Sequence, residues 1–337
     1  MIYPSHLLAH QWRAILLAFL GLTCSLIAAP ANLTQVVNHE GQTLTMQLKL
    51  TSLRGSNFEV LAHNSSGTYD TVTPVAERSY LGTVDEFPGA VSCGILQDDG
   101  QFRGAILFDR GSTWSTLGTN VTKVRDTNYI PENYNSWRIP TTPTVSNGQA
   151  GNTTYGFELG MDADFDYYNS TSGGSLARTL ENIEYSVAVI RGSYLRDAML
   201  RVYLGRVIIR TSQSQDPYTG LSGGSYLDAT RTEWLNNQAD TNPDLVAGVS
   251  PTKIGGGLAW VGTVGASFKF SVNLCDPTGD FSVVFRHEMG HNWDLPHSVG
   301  GNPEGTGFMG GNQSSRMTGC EVYRVFNHRD SKVTQGG

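Results

Sequence analysis

The sequence predicts an α+β chain, with a β-rich N-terminal part followed by a mixed α/β part. Three observations carry this. Leu44, Met46, Leu48 and Leu50 alternate with polar residues, the period of a half-buried strand, and no helical periodicity stands out over 32–138. Over 176–199 the apolar residues Leu176, Leu180, Ile183, Val187, Ile190, Tyr194 and Ala198 recur at spacings of three and four, which marks an amphipathic helix. Strand-like and helix-like segments then alternate as far as Trp293.

In chain order, Arg13 precedes an apolar stretch over 14–29, and Ala29-Pro30-Ala31 supplies an A-x-A pattern. This reads as a signal peptide, 1–31, cleaved after Ala31. The alternative is a retained anchor, for which the stretch is short. In the β-rich segment 32–138, apolar runs 91–96 and 102–108 flank Asp98-Asp99-Gly100, a hairpin signal. Residues 139–154 are rich in Pro, Gly, Ser and Thr and read as a linker and processing region. In 155–337 the expected elements are strands at 155–161, 200–209, 245–249 and 258–264. Helices are expected at 176–199, 226–239 and 280–293, with Asp280 as N-cap of the last.

Composition narrows the function classes. The 337 residues include 39 glycines and carry a net charge of −7. No basic cluster of the kind that binds nucleic acid is present. No segment after the first 31 residues is long and apolar enough to cross a bilayer, so no stable membrane anchor is expected. The reading is a secreted or periplasmic protein, taken as a monomer. Cys24 falls in the signal segment, which leaves Cys93, Cys275 and Cys320. An odd count implies one disulfide plus a thiol, or an intermolecular bond.

The chemistry is concentrated in His287-Glu288-Met289-Gly290-His291-Asn292-Trp293-Asp294-Leu295-Pro296-His297. On a helix His287 and His291 project from one face. Glu288 sits beside the first of them, able to reach a water there. His297 can return to the same point only if the helix ends near Trp293, and Pro296 favours that break. Three neutral imidazoles leave a fourth zinc position open, the arrangement of a catalytic site.

These residues resemble the metzincin zinc signature H-E-x-x-H-x-x-G-x-x-H. Asp294 departs from it, standing where the family has Gly; Asp is among the few residues that tolerate the left-handed turn. Gly307-Phe308-Met309-Gly310-Gly311 looks like the methionine turn, with Met309 chosen and Met317 in reserve. Gly311 stands where astacins and serralysins carry Tyr. Gly257-Leu258-Ala259-Trp260-Val261-Gly262 resembles the edge strand of the reprolysins, or adamalysins, and the 155–159 segment resembles their opening strand. Ser298 after the third histidine is matrixin-like instead. The resemblance, covering 155–330, implies a metzincin catalytic domain with a mixed twisted sheet, a long active-site helix and a small C-terminal subdomain. It implies zinc on His287, His291 and His297, with Glu288 as general base. An extended peptide would pair with Gly257, Leu258, Ala259 and Trp260. It also implies a Cys275–Cys320 disulfide, against two separate thiols.

The expected function is therefore a secreted zinc metalloendopeptidase, in which zinc activates water and Glu288 takes its proton. The chain's own propeptide is the expected inhibitor. Cys93 is read either as a cysteine switch on the metal or as a buried thiol. Asp162, Asp164 and Asp166 have calcium-loop spacing, yet Tyr167 stands at the required glycine; calcium is thus a secondary expectation. Two rivals are an inactive zinc-binding or adhesion module on the same fold, and a gluzincin-type site using Glu304 or Glu321 as third ligand.

Overall fold

The first regular elements are strands, and they divide between two sheets. The computed structural model describes residues 28–126, 153–297, 307–310 and 314–334. The signal stretch 1–27 with Cys24, linker residues 139–152, Ser298, Glu304 and Gly311 lie outside them. Strands β1 (Asn32–His39), β2 (Gln42–Leu50), β5 (Ser79–Val84), β6 (Phe87–Leu96), β7 (Phe102–Leu107), β8 (Thr113–Leu117) and β9 (Asn120–Arg125) close into a barrel, in that order. Its interior takes Leu44, Met46 and Leu48 from the alternating stretch, against Val37, Tyr80, Phe102 and Ile106. The hairpin expected around Asp98-Asp99-Gly100 is the β6–β7 pair.

Strands β3 (Arg54–His63) and β4 (Tyr69–Val72) leave the barrel. They join β10 (Tyr155–Ala163), β11 (Leu200–Arg210), β12 (Leu245–Ser250), β13 (Gly257–Ala259) and β14 (Phe270–Leu274) in one seven-stranded sheet, ordered β13-β14-β12-β10-β11-β3-β4. Neighbours from β14 to β3 run parallel, and both edge strands are antiparallel to their neighbours. The division at 139–154 read from the sequence therefore does not follow the sheet. The run Val207-Ile208-Ile209 in β11 is fully buried, as a strand covered on both faces requires.

Helix α1 (Leu176–Ala198) lies between the barrel and this sheet. Ser175 caps its start, its Oγ accepting from Arg178 N at 3.2 Å, and Met199 ends it in left-handed geometry at φ 54°. Six of the seven periodic apolar residues, Leu180 to Ala198, are buried in the main core. The other face presents Tyr185 and Val189 to Cys93, Ile95, Ala105 and Leu107 of the barrel. Helix α2 (Gly224–Asn237) covers a second core patch, and helix α3 (Ser282–Asn292) carries the histidine motif. Helix α4 (Gly319–Thr334) closes the described chain. Helices and sheet mix as the α+β class predicts. The expected strand over 258–264 is shorter than read. It is regular only as far as Ala259, because the chain turns away through Gly262 at φ 70°.

Candidate metal centre

Helix α3 places His287 and His291 one turn apart, and their Nε2 atoms each lie 3.2 Å from Nε2 of His297. The ligating atoms of the three residues fall within 4.8 Å of one another, the sole such group among the described residues. A tetrahedral zinc with Zn–N bonds of 2.0–2.1 Å sets its ligand nitrogens roughly 3.3 Å apart, so the spacing fits a zinc ion. The Nδ1–H of His287 donates to Phe308 O at 2.8 Å, and that of His291 to Leu295 O at 2.6 Å. These bonds fix the tautomer that presents Nε2. Burial lowers the pKa of both imidazoles, that of His291 to about 4, so each stays neutral and able to bind metal. His291 is buried, His287 half-buried and His297 exposed, so the group opens towards solvent on the His297 side.

Asp294 allows His297 to return. Its φ is 74°, the left-handed geometry that the usual Gly would provide. Asp294 N donates to His291 O and Leu295 N to Gly290 O, each at 2.9 Å, which satisfies carbonyls at the helix end. Arg324 of α4 holds the turn, with Nε 3.0 Å from Asp294 Oδ2 and Nη2 3.1 Å from Oδ1.

Glu288 is 5% exposed, and burial raises its carboxyl to about 8. It lies against the sheet edge. A Cβ built on Gly257 would sit 2.3 Å from Glu288 Cγ and 2.5 Å from its Oε1, so only glycine fits there. Strand β13 pairs with β14 through Gly257–Asn273, Leu258–Val272 and Ala259–Ser271, and it ends the sheet. Trp260 turns off this edge to pack on Phe268. Buried Asn292 ties the edge to α3, donating to Trp260 O at 3.0 Å.

Met309 lies beneath the histidines. Its Sδ would be 3.0 Å from a Cβ on Gly290, which falls between the two helical ligands. Met317 is elsewhere, its N–H donating to Asp197. The turn around Met309 is held by Glu321, whose oxygens accept from Phe308 N at 3.1 Å, Met309 N at 2.9 Å and Thr318 N at 2.8 Å. Glu321 is thus no metal ligand. Thr318-Gly319-Cys320-Glu321 is a capping box for α4, a sequence pattern that could have announced this helix.

Three expectations are corrected. No disulfide joins Cys275 to Cys320: Cys275 Sγ packs 3.9 Å from Thr171 Oγ1 behind β14, and burial raises its thiol to about 12. Cys93 is not at the metal. It is fully buried between barrel and α1, and burial raises it to about 12, whereas a ligand must be a thiolate. The acids at 162, 164 and 166 form no calcium loop. Asp162 pairs with Arg210 at 2.7 Å, both wholly buried. Lys253 Nζ takes Asp164 at 2.8 Å and Asp166 at 3.0 Å, so an ammonium stands among those carboxylates.

Residues 180–298 match the family model described as Metallo-peptidase family M12B, reprolysin-like, about a third of the chain. Over that stretch the chain is similar to reprolysin-like metallopeptidases, and the same stretch holds the three histidines that could bind a metal ion. No curated protein sequence matches. Two solved structures resemble the chain at 14% identity. One is a chain from the structure of a chaperone-substrate complex, with a TM-score of 0.40, covering 82% of this chain and 41% of that one. The other is the crystal structure of metalloproteinase-II from Bacteroides fragilis, with a TM-score of 0.44, covering 89% of this chain and 92% of that one. This chain thus spans about two fifths of the first structure's length.

Proposed function

We propose that the protein is an exported zinc-dependent endopeptidase that cleaves extended protein segments. The convergence of three Nε2 atoms beside a buried carboxylate at an open sheet edge carries this reading. A zinc ion in such a site acts as a Lewis acid and brings the pKa of coordinated water near neutrality. His287, His291 and His297 would hold it, the first two oriented by the carbonyls of Phe308 and Leu295. Glu288, whose ionised form a neighbouring zinc ion would favour, would take the proton of the attacking water on its carboxylate and pass it to the leaving nitrogen. The free side of β13 offers main-chain groups to an extended peptide. It thereby binds without demanding much sequence, and aligns the scissile bond beside Glu288. Export rests on the A-x-A pattern at 29–31; among the described residues no helix is long and apolar enough to cross a membrane.

The test uses the whole exported chain. Bound zinc and casein hydrolysis are measured with and without a chelator, for the native protein and for Glu288→Gln. Activity should vanish with the chelator. The variant should keep its zinc and lose activity by orders of magnitude. A fully active Glu288→Gln protein refutes the role given to this carboxylate.

A further inference from the structure

We propose that residues 28–126 are a permanent structural subunit of the peptidase body, which stays bound after the backbone is cut in 127–152 and without which 153–337 does not hold its fold. The two segments share one sheet. Strand β3 pairs in parallel with β11 from Arg206–Glu59 to Arg210–His63. The ladder is extended by Leu204 N donating to Leu53 O at 2.7 Å and Thr211 N to His63 O at 3.0 Å. Without β3, an eleven-residue strand rich in Val and Ile becomes a bare edge, the kind that pairs with other chains.

The side chains crossing the boundary are those of a core. Leu53 and Val60 belong to the main apolar core together with Val207 and Ile209. On the opposite face of α1, a Cβ added to Gly192 would meet Leu107 at 3.1 Å and the Cys93 thiol at 3.2 Å, so barrel and helix touch at backbone distance. Charged and polar groups, several of them buried, cross as well. Arg54 Nε pairs with Glu184 at 2.8 Å, Arg206 with Glu59 at 2.7 Å, and Arg191 donates to Ser52 O. Arg210 donates to His63 Nδ1 at 3.2 Å and to Tyr69 Oη at 3.1 Å. At the far end Ser315 N donates to Gly111 O at 2.8 Å. An apolar interface with interdigitated strands and internal ion pairs is that of an obligate complex, not of a detachable cover. Residues 28–126 contribute no ligand to the metal group.

The experiment introduces a specific protease site between Pro140 and Thr141 of the full chain and cuts it after folding. Size exclusion and native mass spectrometry should find both fragments in one particle in plain buffer. Amides of β11 should stay as protected from hydrogen exchange as in the uncut protein. Fragments parted in urea should leave 141–337 without its native circular dichroism until the N-terminal fragment is returned. Separation in plain buffer with 141–337 still folded overturns the proposal. So does rapid exchange of β11 in a cut but soluble protein. None of these readouts requires peptidase activity, so failure here is distinct from failure of the proposed chemistry.

Discussion

At the residue scale, two positions show how backbone freedom shapes the metal centre. Asp294 adopts φ 74°, and Arg324 grips its carboxylate, so the strain of a left-handed non-glycine is offset locally. Asp294→Gly should keep the turn and bind zinc nearly as well as the native protein. Asp294→Val should not, because a β-branched residue resists positive φ at a cost of about 1–3 kcal/mol. Zinc titration and thermal melts compare them; equal zinc affinity for the valine variant would contradict the assigned role. Gly257 makes room for the Glu288 carboxylate, with a hypothetical Cβ 2.5 Å from Oε1. Gly257→Ala should displace that carboxylate and leave the histidines alone. The expectation is at least a tenfold fall in kcat/KM, about 1.4 kcal/mol, at unchanged zinc content. Loss of zinc together with activity would mean that the strand supports the ligands instead.

At the element scale, α4 holds up the turn that holds up a ligand. Glu321, fully buried in the first turn of α4, accepts three backbone N–H groups, and Phe308 of the same turn receives the Nδ1–H of His287. Burial raises this carboxyl from 4.5 to about 7, against the pull of its donors. The folded state therefore binds this proton more tightly than the unfolded chain. The associated stability is complete below pH 4.5 and is lost as pH rises through about 7. The linkage amounts to roughly 3 kcal/mol at most. Glu321→Gln has no such titration. Its urea-unfolding free energy should vary less between pH 5 and pH 8 than that of the native protein, whatever its absolute stability. An unchanged pH slope would show that Glu321 does not titrate in this range.

At the scale of the whole molecule, the barrel is a support under α1, and Cys93 is part of the joint. Its thiol is wholly buried against Gly192 and shifted to about 12, so it should resist iodoacetamide in the folded protein and react after denaturation. Mass spectrometry of the alkylated chain reads this directly. Rapid native labelling, with a rise in peptidase activity, would restore the switch. One face of α1 meets the sheet and the other the barrel, and its buried Glu184 is paired with Arg54 of β3.

Local spacing alone placed His287 and His291 on one face beside Glu288, because residues one helical turn apart share a face in any context. It also determined the amphipathic helix, the β-rich start and the left-handed tolerance of Asp294. Only the tertiary structure decided what depends on partners far apart in the chain. Strand β3 crosses into the other segment's sheet to meet β11, some 150 residues later by register. Cys275 and Cys320, paired by resemblance, form no disulfide. Cys93 faces a helix, and Glu321 faces the methionine turn. Pairings of that kind leave no periodic mark in a sequence, since they are selected by the shape and burial of surfaces that exist only once the sheet has formed.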